Sequence, residues 1–107
     1  MGIVCPDCLH VGPGIDLDRH AERVLWRGAM WLELSPRQYA GLRYLAEHRG
    51  RPVRARDLGV AVWGPETPHA ARRAQTLVRR LRARLEDDPH QPRVILAVVG
   101  EGYLIPS

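Results

Sequence analysis

The sequence contains no lysine, no phenylalanine and no asparagine. Those three residues share AT-rich codons, so their joint absence points to a GC-rich genome. No apolar run approaches the ~18 residues that a membrane-spanning helix needs. The first residues, MGIVCPDCLH, lack the basic segment and long apolar stretch of a secretory signal, which gives the expectation of a cytoplasmic protein without a membrane segment. Catalytic signatures are missing too. There is no Gly-x-Ser-x-Gly, no glycine-rich phosphate loop and no carboxylate pair at a cleft, so the expectation is a non-enzymatic protein with no catalytic residues.

What is present is one domain's worth of chain, 107 residues, 45% apolar and 26% charged. This is the composition of an ordinary globular protein and excludes general disorder. All sixteen cations are arginine, and the formal net charge is +4. A basic domain favours polyanionic partners, nucleic acid first.

Four stretches can be distinguished. Residues 1–14 hold both cysteines and a Gly-Pro-Gly, and are taken as an N-terminal Cys/His knuckle preceding a domain over 15–107. Short alternating segments at Ile15–Leu17, Val24–Trp26 and Met30–Leu34, with Arg27-Gly28 as a tight turn, predict an antiparallel meander. Residues 35–87 carry three helical patterns. Ser35, Pro36 and Gln38 spell an N-cap, a first-turn proline and a capping-box partner, so helix one is expected over Arg37 to about His48, with Gly50 as a left-handed stop. Helix two is expected from Ala55 to about Val62, and helix three from Thr67-Pro68 to about Leu85. Two short strands around Gly100-Glu101-Gly102 predict a C-terminal hairpin.

Helix three says most about function. Ala74, Leu77, Val78, Leu81 and Leu85 recur at three- and four-residue intervals, as on a helix docked against a core. The other side carries Arg72, Thr76, Arg79 and Arg80, flanked by Arg73, Arg82 and Arg84. Pro68–Leu85 thus holds six arginines and no acid. Like charges at helical spacing repel unless a polyanion neutralises them. Glu86, Asp87 and Asp88 sit at the end of the helix, where its dipole disfavours anions. A core-docked helix with an outward arginine face is the form that enters a B-DNA major groove, where arginine grips phosphates and reads guanine.

These residues resemble a known family. Leu34-Ser35-Pro36-Arg37-Gln38-Tyr39 is similar to the Leu-Thr-x-x-Glu-Phe start of OmpR/PhoB-type winged-helix domains. Leu42-x-x-Leu45 with Gly50, Val62-Trp63-Gly64, Val78-Arg79-Arg80-Leu81-Arg82-x-Arg84-Leu85, Asp87-Asp88-Pro89 and Val98-x-Gly100-x-Gly102-Tyr103 follow in the family's order, covering about Ile15 to Ile105. The resemblance implies an α+β winged helix-turn-helix with an N-terminal antiparallel sheet, three helices and a hairpin wing. It also implies a transcriptional regulator that binds double-stranded DNA through helix 68–85, with Arg72, Arg79, Arg80 and Arg82 carried over as contacts. Arg73 and Thr76 join them from the helix face. Such domains usually follow a phosphorylatable receiver; 107 residues leave no room for one, which gives the expectation of a stand-alone domain outside that phosphorylation route. The family's Thr-Val-Arg-Gly in the hairpin is here Ala97-Val98-Val99-Gly100. The wing arginine is therefore absent, and a weaker or relaxed DNA contact is expected.

Cys5-Pro6-Asp7-Cys8 followed by His10 resembles half of a zinc-ribbon knuckle, since cysteines two residues apart can take adjacent tetrahedral vertices. A structural zinc held by Cys5, Cys8, His10 and His20 is one reading, and a surface dithiol without metal is another. Thioredoxin-like redox chemistry lacks its βαβ context, and a structural disulfide is not expected in a cytoplasmic chain. Trp26 and Trp31 read as sheet packing, Trp63 as core, Tyr103 as structural, and His69 as a candidate phosphate contact. Two functions compete. One is a DNA-reading regulator, placed as a homodimer because a single small module reads few base pairs. The other is an adaptor that binds RNA polymerase or a sigma factor through Gly64–Thr67 and the exposed helix face.

Overall fold

The computed structural model describes residues 8–12 and 14–107. Its first layer is a four-stranded antiparallel sheet in sequence order, β1 (Cys8–Gly12), β2 (Ile15–Asp18), β3 (Arg23–Trp26) and β4 (Met30–Glu33). Three helices follow, α1 (Pro36–Glu47), α2 (Ala55–Trp63) and α3 (Ala70–Leu85), and then a hairpin of β5 (Leu96–Val98) and β6 (Gly102–Leu104). This is the α+β winged-helix architecture.

The sheet buries one face through side-chain alternation. Val11, Ile15, Leu17 and Val24 turn inward and join the core with the helices. The outer row runs His10, Asp16, Leu25, Trp31 across the four strands. Leu25 is buried even on this side, beside Trp31, over whose ring the Arg23 guanidinium lies at 3.9 Å. The Arg27-Gly28 turn has positive φ at both residues, 54° and 67°, the mirror-image turn that suits strand twist.

Cys8–Gly12 corrects the sequence reading of residues 1–14 as a separate knuckle. It is a strand hydrogen-bonded to β2, and its Val11 is fully buried in the domain's own core. The cysteines and His10 drew the reading toward a metal motif, while Leu9 and Val11 carried the strand alternation.

Helix α1 begins where its capping box dictates. The Ser35 hydroxyl accepts from the Gln38 N–H at 3.1 Å, and the Gln38 side chain accepts from the Ser35 N–H at 3.2 Å. Leu42, Leu45 and Ala46 face the core. Gly50, at φ +80°, turns the chain so that its N–H donates to Ile105 O at 2.8 Å, tying the helix exit to the C-terminal strand. Helices α2 and α3 approach closely. A Cβ added at Gly59 would lie 2.1 Å from Ala70 O, so only glycine permits this packing.

Helix α3 starts at Ala70 rather than at Thr67-Pro68. His69 takes a left-handed conformation, φ 55°, and forms its N-cap without a side-chain capping bond. The buried stripe is Ala70, Ala74, Leu77, Val78, Leu81 and Leu85. The hairpin is fastened by a further bridge. Val53 N–H donates to Tyr103 O at 2.7 Å and Tyr103 N–H to Val53 O at 2.9 Å, so the α1–α2 connection is pinned to β6 at one residue.

Candidate nucleic-acid interface

With six residues of α3 committed to the core, the 3.6-residue period leaves a polar strip on the opposite side. Arg72, Arg73, Arg79 and Arg80 are exposed there, with Thr76 half-buried between them and Gln75 at the wing side. None of these four arginines makes a side-chain hydrogen bond or ion pair with a described residue. A buried leucine seam therefore presents uncompensated guanidiniums along a helix about 24 Å long.

Arg82, expected from the sequence among the DNA contacts, differs from these four in having internal partners. Its Nε and Nη2 donate to Ile95 O at 3.1 and 2.9 Å, and its guanidinium lies 5.7 Å from the Tyr103 ring centroid. Arg84 likewise donates to Glu33 O on β4 at 2.7 Å. These two arginines hold the protein together.

Glu86 gives the matching surprise. Far from being a misplaced anion at a helix terminus, it is buried, 8% exposed. Its carboxylate accepts the N–H groups of Arg93 at 2.8 Å and of Val94 and Ile95 at 3.0 Å. The peptide groups of Ile95 are thus held on both sides, its N–H by Glu86 and its carbonyl by Arg82, one turn apart on α3. This clamp sets where the segment leading to the hairpin leaves α3. Nothing in the local sequence marks it except an unexplained acid following an arginine by four positions.

The sheet is anchored to the same end of α3. Trp26 Nε1 donates to Leu85 O at 3.2 Å, and Arg27, stacked on Trp26 at 4.2 Å, forms an ion pair with Asp87. Behind it, Asp18 accepts from His20 N–H at 2.8 Å, Arg23 Nε at 3.0 Å and Ala21 N–H at 3.2 Å. The His20 amide and the Arg23 side chain hold its carboxyl below the usual carboxylate range, against the opposing effect of burial.

Two grooves flank the arginine strip. On the α1 side, a groove of about 790 Å³ is lined by Arg37, Arg72, Arg73 and Arg80 with Trp63 and Thr76, and no acid lines it. Trp63, read from sequence as core, packs only partly against it. Arg37 and Arg73 lie 5.5 and 5.8 Å from its ring centroid. Sequence reasoning missed Arg37, because its helical position places it near α3 only once α1 has docked. On the wing side, Arg54 and Glu101 share a smaller groove with Gln75 and the hairpin tip. Val99 stands at that tip 99% exposed, and the hairpin strands bring no arginine there.

The proposed zinc ligands do not converge among the described residues, where no group of three or more His, Cys, Asp or Glu side chains comes together. Cys8 is disulfide-bonded, contrary to the sequence expectation, and so is no free thiolate ligand. His10 Nδ1 lies 3.0 Å from Asp16 Oδ1 on the neighbouring strand. His20 sits in the β2–β3 turn, with its N–H on Asp18. Cys5 lies outside the described residues. No described helix is long and apolar enough to cross a membrane.

The sequence pattern of the family described as transcriptional regulatory protein, C terminal, matches residues 28–105. The chain belongs to this OmpR/PhoB-type winged-helix family. Its members are non-enzymatic DNA-binding domains of transcriptional regulators. Among solved structures, the response regulator DrrB of Thermotoga maritima, an OmpR/PhoB homologue, superposes with TM-score 0.81 at 29% identity over 94% of this chain. The chain spans 45% of DrrB's length. The RstA DNA-binding domain of Klebsiella pneumoniae, solved in complex with the RstA box, gives TM-score 0.79 at 25% identity, covering 92% of this chain and 96% of that one. The CpxR DNA-binding domain of Escherichia coli gives 0.75 at 26% identity, covering 94% and 96%.

Proposed function

We propose that this winged-helix domain reads specific sequences in double-stranded DNA, laying the outer face of α3 in the major groove. Arg72, Arg79 and Arg80 are the base- and phosphate-contacting side chains, with Arg73 and Thr76 beside them. The observation that carries this reading is the set of four exposed arginines that make no hydrogen bond or ion pair with a described residue, on a helix whose other face is fixed in the core. Arginine is suited to the task because its planar fork matches guanine O6 and N7 and also phosphate oxygens. The RstA DNA-binding domain, solved in complex with the RstA box, supports DNA as the partner.

Selection of bound sequences from a random duplex pool tests the proposal. The expected result is enrichment of a short guanine-containing motif, bound with an affinity that falls steeply as salt rises. Recovery of unenriched sequence would refute it. Paired half-sites in the selected motif would accompany binding as a dimer.

A second reading is favoured by one feature, the bare Val99 at the wing tip, where an apolar residue stands fully in solvent. On that reading the domain is an adaptor that binds RNA polymerase or a sigma factor. Purification with a stoichiometric protein partner, together with absent duplex binding, would favour it over the first.

A further inference from the structure

We propose that the groove between the start of α1 and α3 is a seat for a backbone phosphate of duplex DNA, gripped by Arg37 and Arg73 across Trp63. This rests on the DNA-binding reading above and adds a site to it. A helix lying in a major groove has one sugar-phosphate backbone on each side, and contacts to those backbones fix its register. The two flanks of α3 are unequal. The wing flank sets a single arginine, Arg54, against Glu101, with Val99 uncharged at the tip. The α1 flank lines its groove with four arginines and no acid.

Within that groove two guanidiniums from different helices flank one indole. Arg37 lies 5.5 Å and Arg73 5.8 Å from the Trp63 centroid, within the range of cation–π attraction. Stacking restrains these long side chains without using up their N–H donors, and neither makes a hydrogen bond to a described residue. Elsewhere in the chain, arginines with a structural task spend those donors, as Arg23 does on Asp18, Arg43 on Glu47 and Arg82 on Ile95. Held in place but unsatisfied, the Arg37–Arg73 pair lacks only an anion. The pair forms the α1-side edge of the arginine face, in the groove that Arg72 and Arg80 also line, and there it strengthens binding without choosing bases.

The test is fluorescence anisotropy on a selected duplex from 50 to 200 mM salt, comparing the native chain with Arg37→Gln, Arg37→Lys and the Arg37→Gln/Arg73→Gln double variant. Each released phosphate contact contributes a slope of about −0.9 in log affinity against log salt, so the double variant is expected to flatten the slope by about 1–2 and to bind about tenfold more weakly at 50 mM. Arg37→Lys should retain the native slope, and the selected motif should be the same for every variant. A native slope in the double variant overturns the seat while leaving the DNA-binding reading intact. A changed motif also overturns it, because the pair would then be reading bases. Absence of duplex binding by the native chain overturns both. Arg37 is exposed in the first turn of α1, so Arg37→Gln keeps the test valid even if the double variant melts early.

Discussion

The two halves of α3 carry arginines of the same chemistry put to opposite uses. From Arg72 to Arg80 the exposed guanidiniums make no hydrogen bond or ion pair with a described residue, whereas Arg82 and Arg84 spend theirs on the carbonyls of Ile95 and Glu33. The difference follows from what lies beside each turn. The first half borders open grooves, and the second is wedged between the β-sheet and the strand entering the wing. A charged group left unpaired is stable only where water or a ligand reaches it. Charge left open to solvent and charge spent on the fold are therefore sorted along one helix.

Breaking the unpaired half should have the largest effect. Arg79→Ala/Arg80→Ala is expected to abolish specific duplex binding, since each good arginine contact is worth about 1–3 kcal/mol of discrimination. The melting temperature should stay near the native value, because neither side chain has an internal partner. A gel-shift titration with a melting curve on the same preparation checks both halves of this expectation.

The committed half should behave the other way. Glu86→Gln keeps the side chain's shape but removes the charge that accepts three backbone N–H groups, and should lower stability by about 1–3 kcal/mol. Its effect on DNA binding should be the smaller one. Chemical denaturation of the variant measures the first, and a binding isotherm at a temperature where it remains folded measures the second.

Much of this molecule was legible in the sequence. The capping box at Ser35, the apolar stripe from Ala74 to Leu85 and the Arg27-Gly28 turn are local patterns, and each formed where its residues demanded. The family order of short motifs added the architecture. What stayed hidden depended on contacts between distant segments. Arg82 occupies a flank position on the helix, and sequence spacing does not say that a carbonyl thirteen residues onward will approach it. Glu86 looked unfavourable because its three partners lie beyond the turn that follows it. Arg37 joined the interface only through the docking of α1 on α3. In β1 the cysteine spacing outweighed a short strand alternation.

Asp18 sharpens the comparison from the sheet side. Its carboxyl is held below the ordinary carboxylate value of about 4, chiefly by the His20 amide and then by Arg23. The stability it adds is therefore fully present above that ordinary value and is lost as the pH falls through the lower folded value. Asp18→Asn should cost about 1 kcal/mol at neutral pH, and the gap from the native chain should close in acid. Melting curves at a series of pH values follow it.

The smallest expected change is a gain. Val99→Arg restores a cation at a fully exposed wing position, and should tighten duplex binding by about 1 kcal/mol at low salt, less as salt rises. Unchanged affinity in an anisotropy titration would show that the wing tip does not approach the duplex.

The central claim is that the unpartnered face of α3 is what meets DNA. Backbone amide shifts recorded by NMR while a selected duplex is titrated into the labelled domain test it directly. The largest shifts are expected along Arg72–Arg80, with Arg37 and Trp63 moving beside them and the outer row of the sheet unmoved. Shifts concentrated on β1–β4, with α3 silent, would contradict it.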